Sequence, residues 1–119
     1  MARILLAEDD ESVRRFVARA LTLDGHDVTE AADGALALEA LREDRFDLLL
    51  TDIAMPVMDG IQLALNVARD YPTLRILMMS GYADERRRAH NLETLVHDVV
   101  AKPFSLAEIV QAVAKALEG

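Results

Sequence analysis

Glu8, Asp9, Asp10 and Glu11 stand in a row directly after a short apolar run, Ile4-Leu5-Leu6-Ala7. Asp52 ends a second such run, Leu48-Leu49-Leu50-Thr51. Ser80 ends a third, and Lys102 follows a fourth, Val99-Val100-Ala101. Acids, a hydroxyl and an ammonium, each placed where an apolar run stops, form a set suited to handling a phosphoryl group. Two like charges about 4 Å apart repel by roughly 4 kcal/mol at an effective dielectric near 20. Glu8, Asp9 and Asp52 gathered at one point would therefore repel unless a cation sat among them. Oxygen-only ligands, some supplied by water, suit Mg²⁺ in an octahedral shell. A carboxylate is ionised at neutral pH and needs no base to act as a nucleophile. Phosphoryl transfer to Asp52 would then need little beyond positioning and neutralisation of charge. Lys102 is one of two lysines, Lys115 being the other. Its compact ammonium suits a point-charge contact to a phosphoryl or carboxylate oxygen.

The elements that must position these groups are legible from periodicity. Arg3 to Ala7 is too short for a buried helix and predicts a central strand. Val13, Phe16, Val17, Ala20 and Leu21 recur at helical spacing, in a helix ending near Gly25. Asp27 to Ala31 is a half-polar strand nearer an edge, and Ala35 to Glu43 a second helix. Leu48 to Asp52 is another central strand. A loop holding Pro56 and Gly60 leads into a helix through about Tyr71, which Pro72 stops. Ile76 to Ser80 is a buried strand, residues 84 to 95 a helix, and Val99 to Lys102 a short strand. Ser105 and Glu108 form a capping box for a last helix with Leu106, Ile109, Val110, Val113 and Leu117 on one face. Strand and helix alternate five times, with strands apolar on both faces, which predicts an α/β protein: a doubly wound parallel sheet with helices on both sides. In such a sheet the C-terminal strand ends share one edge, where the ligand crevice lies. Glu8, Asp9, Asp52, Ser80 and Lys102 should meet there.

Composition narrows the partners. The chain has 119 residues, 52% hydrophobic and 29% charged, in the range of one globular domain, residues 1–119. A formal net charge of −8 argues against nucleic acid or an anionic membrane surface as the main partner. The absence of cysteine excludes disulfides, thiolate metal sites and cysteine nucleophiles. No apolar run approaches the ~20 residues of a membrane span, and Met1-Ala2-Arg3 opens no signal peptide, so a cytoplasmic domain without an attached output domain is expected.

Leu5-Leu6-Ala7-Glu8-Asp9-Asp10, Thr51-Asp52-Ile53-Ala54-Met55-Pro56-Val57-Met58-Asp59-Gly60, Met79-Ser80-Gly81 and Lys102-Pro103-Phe104 together resemble the receiver domain of two-component response regulators. The similarity runs along the whole chain, and the spacing between motifs matches as well as the motifs. It implies a flavodoxin-like sheet in strand order 2-1-3-4-5. It implies that Asp52 is the phosphoacceptor, and that Asp9, Asp52 and the Ala54 backbone carbonyl hold Mg²⁺, with Glu8 completing the acidic pair. Asp10 competes for a place in that pair; Glu8 and Asp9 are preferred because Arg14 then falls at the family's spacing. Ser80 would bond one phosphoryl oxygen and Lys102 neutralise another. The implied donor is a histidine kinase or a histidine phosphotransfer protein. The implied output is a partner protein or a homodimer. Single receivers that regulate cell-cycle proteolysis look similar, which suggests an ATP-dependent protease or its substrates. Such a domain is a switch with slow self-catalysed phosphorylation and dephosphorylation, not an enzyme.

Two positions depart from the family pattern. Val99 stands where Tyr, Phe or His usually sits, three residues before the lysine, and Asn91 to Asp98 lacks the common Gly-Ala pair. A valine has no ring to swing inward, so any switching must work through Ser80, the Gly81-Tyr82 loop and the segment up to Asp98. Other groups read as structural. Asp9 and Asp10, taken alone, also fit a turn and a helix cap, and Asp59-Gly60 reads as a cap after a turn. Arg86-Arg87-Arg88 reads as a solvated helix face, His26, His90 and His97 as surface residues, and the methionines as packing. Two other functions fit the same scaffold less well. A metal-dependent phosphohydrolase would want an acid two residues after Asp52, where Ala54 stands. A flavodoxin-like electron carrier would want a phosphate loop where Glu8 to Glu11 stand.

Overall fold

The computed structural model describes residues 2–90, 92 and 94–118. Five strands form one sheet: β1 (Arg3–Ala7), β2 (Asp27–Ala31), β3 (Leu48–Asp52), β4 (Arg75–Ser80) and β5 (Asp98–Ala101). Five helices alternate with them: α1 (Glu11–Leu23), α2 (Gly34–Glu43), α3 (Gly60–Asp70), α4 (Ala83–His90) and α5 (Leu106–Glu118). The order across the sheet is β2-β1-β3-β4-β5, and every neighbouring pair is parallel. Register aligns the functional ends: Ala7 pairs with Thr51, Asp52 with Met79, and Ser80 with Ala101.

Strand side chains alternate between faces, so an apolar strand covered on both sides feeds two cores. Ile4, Leu6, Leu48, Leu50, Leu77 and Met79 pack with Val17 and Leu21 of α1 and Ile109 and Val113 of α5. Leu5, Ala7, Leu49, Ile76 and Met78 face the other way, onto Leu41 of α2, Leu63 and Val67 of α3 and Ala89 of α4. The helix ends are specified locally. Asp10 caps α1 by accepting from the Ser12 and Val13 N–H groups. At its other end the His26 N–H reaches the Leu21 carbonyl and the Gly25 N–H that of Thr22, with Gly25 at φ +95, a termination that glycine makes without strain. Asp59 and Gln62 form a reciprocal capping box on α3, and Ser105 and Glu108 cap α5 in the same way, as predicted.

Three sequence expectations need correction. The fourth helix ends at His90 rather than residue 95. After it, the Leu92 N–H bonds the Ala89 carbonyl and the Leu95 and Val96 N–H groups bond that of Leu92, a turn rather than a continued helix. The reason is composition: Ala83–His90 reads ADERRRAH and has almost no apolar stripe to bury. Asn91 and Glu93 lie outside the described residues. Second, β4 begins one residue earlier, at Arg75, and β5 closes at Ala101, which leaves Lys102 just beyond the ladder. Third, His26 is not a surface residue: its side chain is 10% exposed, and Nδ1 accepts the Ala2 N–H at 3.1 Å. Among the described residues, no helix is long and apolar enough to cross a membrane.

Candidate functional site

The chain leaves β1 as Glu8, whose side chain points into the protein and is fully buried. Its backbone is fixed twice: its N–H donates to the Ala31 carbonyl at 3.0 Å, and its own carbonyl accepts from Arg14 Nη1 at 3.0 Å. Arg14 is in turn held by Glu30 at 3.1 Å. The Glu8 carboxylate is shared. Oε2 accepts the Asp10 N–H at 3.0 Å and Oε1 accepts from Lys102 Nζ at 2.7 Å. A buried carboxylate needs such partners, because removing the charge from water is otherwise prohibitive.

Asp52 ends β3 beside it, 6% exposed. Its Oδ1 accepts the Ile53 N–H at 3.0 Å and lies 3.2 Å from Lys102 Nζ. Burial, reinforced by the negative charge of Glu8, lifts the Asp52 carboxyl from the ordinary range to about 6, against the opposing pull of Lys102. Burial by itself would weaken the proton's hold on Lys102, but its bond to Glu8 and the charge of Asp52 outweigh that, and its pKa is raised. The ammonium therefore stays charged.

Asp9 is exposed, and ligand oxygens of Glu8, Asp9 and Asp52 come within 4.8 Å of one another. Asp10 spends its side chain on capping α1. The cleft over this cluster is lined by Glu8, Asp9, Asp52 and Lys102, with Ala54, Tyr82, Glu85 and Phe104 at its sides. Oxygen donors at this spacing suit a hard divalent cation, whose charge would offset the mutual repulsion of the acids.

The loop after β3 leaves the cleft at Ala54 and folds back on β3. The Met58 N–H turns back onto the Pro56 carbonyl at 2.8 Å, with Val57 between them at φ 70, a three-residue turn that is strained for a β-branched side chain. It brings the Gly60 N–H within 2.7 Å of the Ile53 carbonyl. A Cβ on Gly60 would lie 2.1 Å from the Asp52 carbonyl oxygen and 2.9 Å from Ile53 Cα. Gly60→Ala is therefore expected to destabilise the fold by about 2–3 kcal/mol, since backbone rather than a flexible side chain must yield. Urea denaturation reads this, and an unchanged midpoint would contradict the close approach.

Ser80 ends β4, 2% exposed, but its hydroxyl is turned into its own loop. Oγ donates toward the Tyr82 carbonyl at 2.8 Å and Glu85 Oε1 at 3.1 Å, and accepts the Tyr82 N–H at 3.3 Å. Among the described residues none of the hydroxyl's bonds runs to Asp52 or Lys102, although the Ser80 carbonyl accepts the Lys102 N–H at 2.7 Å. Tyr82 is 72% exposed, and Val99 is half-buried against the core on the α3 side. Glu85 was missed by the sequence analysis. Its only signal is an acid in the first turn of the helix after Ser80-Gly81, which on its own reads as a helix-dipole contact. Arg88 is exposed, as read, and also bonds Asp59 at 3.0 Å, which ties α4 to the cap of α3.

Comparison with known proteins agrees with this geometry. The response regulator receiver domain family matches residues 4–114. The response regulator receiver protein CpdR of Brucella abortus is 44% identical over 117 residues, covering 98% of both chains. The sensor kinase CckA of the same organism is 34% identical over 119 residues, 98% of this chain but 13% of that protein. Among solved structures, the chemotaxis response regulator CheY4 of Vibrio cholerae superposes with TM-score 0.90 at 28% identity, covering 98% of this chain and 99% of that one. Response regulator TrrA of Thermotoga maritima, solved in complex with Mg²⁺-BeF, gives 0.89 at 26%, covering 98% and 100%. With the receiver profile spanning nearly its whole length and a full-length relative in CpdR, the chain belongs to the response regulator receiver domain family, the phosphorylation-activated switches of two-component signalling.

Proposed function

We propose that Asp52 is the phosphoacceptor of this switch and takes its phosphoryl group from a histidine kinase or a histidine phosphotransfer protein. The observation that carries the assignment is the placement of Asp52: a buried strand-end carboxylate at the floor of an open cleft, with Lys102 Nζ 3.2 Å away and two further acids around it. An Asp52 oxygen attacks phosphorus, the P–N bond of the donor breaks, and its electron pair leaves on the imidazole nitrogen, which takes up a proton. Lys102 offsets charge on the transferred group, and the Ser80 hydroxyl donates to one of its oxygens. Glu8, by holding Lys102, aims the ammonium at Asp52.

Asp9, Asp52 and the Ala54 carbonyl would hold Mg²⁺, with Glu8 behind them, while Asp10 gives one carboxylate oxygen to capping α1. When bound, the ion supplies the positive charge that lets an anionic phosphoryl group approach three carboxylates. The chain acts as a signalling switch and not as a phosphohydrolase, for Ala54 offers no acid to activate water. Its output is a protein partner in the cytoplasm, or a second copy of the chain. An ATP-dependent protease or its substrates is the specific version, carried by the family resemblance alone.

Two measurements test this. Saturating Mg²⁺, at 100 times its dissociation constant, should stabilise the wild type by about 2.7 kcal/mol, because only the folded chain assembles the site. Asp9→Ala should abolish the rise in melting temperature; a retained rise would remove Asp9 from the site. Capture of partners by wild type and Asp52→Ala after treatment with a phosphodonor should give different sets, and identical sets would contradict phosphorylation-controlled binding.

A further inference from the structure

Glu8, Asp52 and Glu85 are the buried carboxylates among the described residues, and the phosphoacceptor chemistry uses the first two. Glu85 lies in the first turn of α4, 9% exposed, and its Oε1 accepts both from Ser80 Oγ at 3.1 Å and from the Gly81 N–H at 3.3 Å. Ser80 has one hydroxyl proton, and both of its acceptors, Glu85 and the Tyr82 carbonyl, lie on the α4 side. That proton cannot at the same time serve a phosphoryl oxygen on Asp52. Glu85 also lines the same cleft as Asp52, so the charge of about −1.5 to −2 brought by a phosphoryl group repels it. The position that would otherwise report hydroxyl movement is Val99, which has no ring to swing.

We propose that Glu85 is a positioning residue that latches the Ser80 hydroxyl into the loop while Asp52 is unmodified. Capture of Ser80 by the phosphoryl group breaks the latch and frees the first turn of α4. The inference rests on Asp52 being the phosphoacceptor. The bond to the Gly81 N–H alone would only order the loop before α4; the bond to Ser80 is what couples this acid to the site. The device takes the place of an aromatic switch, with α4 as the element that moves.

The test uses beryllofluoride with Mg²⁺ as the phosphoryl stand-in, titrated into wild type, Glu85→Gln, Ser80→Ala and the double variant. Glu85→Gln keeps the size of the side chain and removes its charge. It should bind the probe about fivefold more tightly than wild type, because the neutral acceptor holds the hydroxyl less strongly. In the Ser80→Ala background the same change should gain less than about twofold, since no hydroxyl remains to be released. An equal gain in both backgrounds would assign the effect to charge alone and overturn the latch, as would no gain at all. Where Glu85→Gln proves unstable, the wild type suffices: the Gly81 amide should exchange faster once the probe is bound, and unchanged protection with the probe bound overturns the latch. Wild type that fails to bind the probe would overturn the phosphoacceptor assignment and the latch together. Normal binding with no effect at Glu85 would overturn the latch alone.

Discussion

Asp52→Asn is expected to stabilise the metal-free protein by about 3 kcal/mol at pH 7.5 while removing its capacity to accept a phosphoryl group. The folded protein holds a proton on Asp52 up to about pH 6, whereas the carboxyl has an ordinary value of 3.8 when unfolded. Folding therefore takes up a proton between those values, and stability falls as the pH rises through that window. Above it the loss is constant, near 1.4 kcal/mol for each unit of the difference. The asparagine variant escapes this loss, so its advantage should be absent below about pH 4, grow to about pH 6 and stay level beyond. For a domain of this size the gain corresponds to a rise of about 10 °C in melting temperature. Saturating Mg²⁺ should shrink the difference by stabilising the wild type. A variant no more stable than wild type at pH 7.5 would mean that Asp52 carries no strained charge.

Lys102→Met should have the largest effect in the opposite direction. It leaves Glu8, fully buried, with only the Asp10 N–H as a partner and removes the cation 3.2 Å from Asp52. Breaking a buried pair by deleting one member typically costs 3–5 kcal/mol, and a loss of about 4 kcal/mol is expected here at neutral pH. Because the cost is that of uncompensated negative charge, it should diminish as the pH falls through about 6 and Asp52 takes up a proton. Chemical denaturation at pH 7.5 and pH 5 separates this from lost packing, which would be independent of pH. Equal losses at the two values would show that Lys102 stabilises by its alkyl stem.

How much of this was legible in the sequence differs by element. β1 and β3 lie where their apolar runs do, because strands buried on both faces leave an uninterrupted signature, and the half-polar β2 is set by its mixed pattern at the sheet edge. The site was legible for the same reason: in a parallel sheet the strand ends are brought together by topology, so Glu8, Asp9, Asp52 and Lys102 could be placed together without knowing any helix packing. α4 was not, since its charged sequence gives no periodicity to bound it, and its end depends on Leu92 and Val96 turning into the core. Asp10 remained open between ligand and cap, because both roles want a short acid before a helix; the Ser12 and Val13 N–H groups claim it. Glu85 was invisible, because its contact with Ser80 depends on how a loop folds back rather than on any spacing.

The assignment of Asp52 is tested most directly by locating the phosphoryl group. The full chain is incubated with acetyl phosphate and Mg²⁺, and its intact mass and fragments are measured for wild type and Asp52→Asn. The wild type should gain the mass of one phosphoryl group, carried by the fragment containing Asp52, and the variant should gain none. A phosphoryl group on a fragment that excludes Asp52, or equal labelling of the variant, would contradict the assignment.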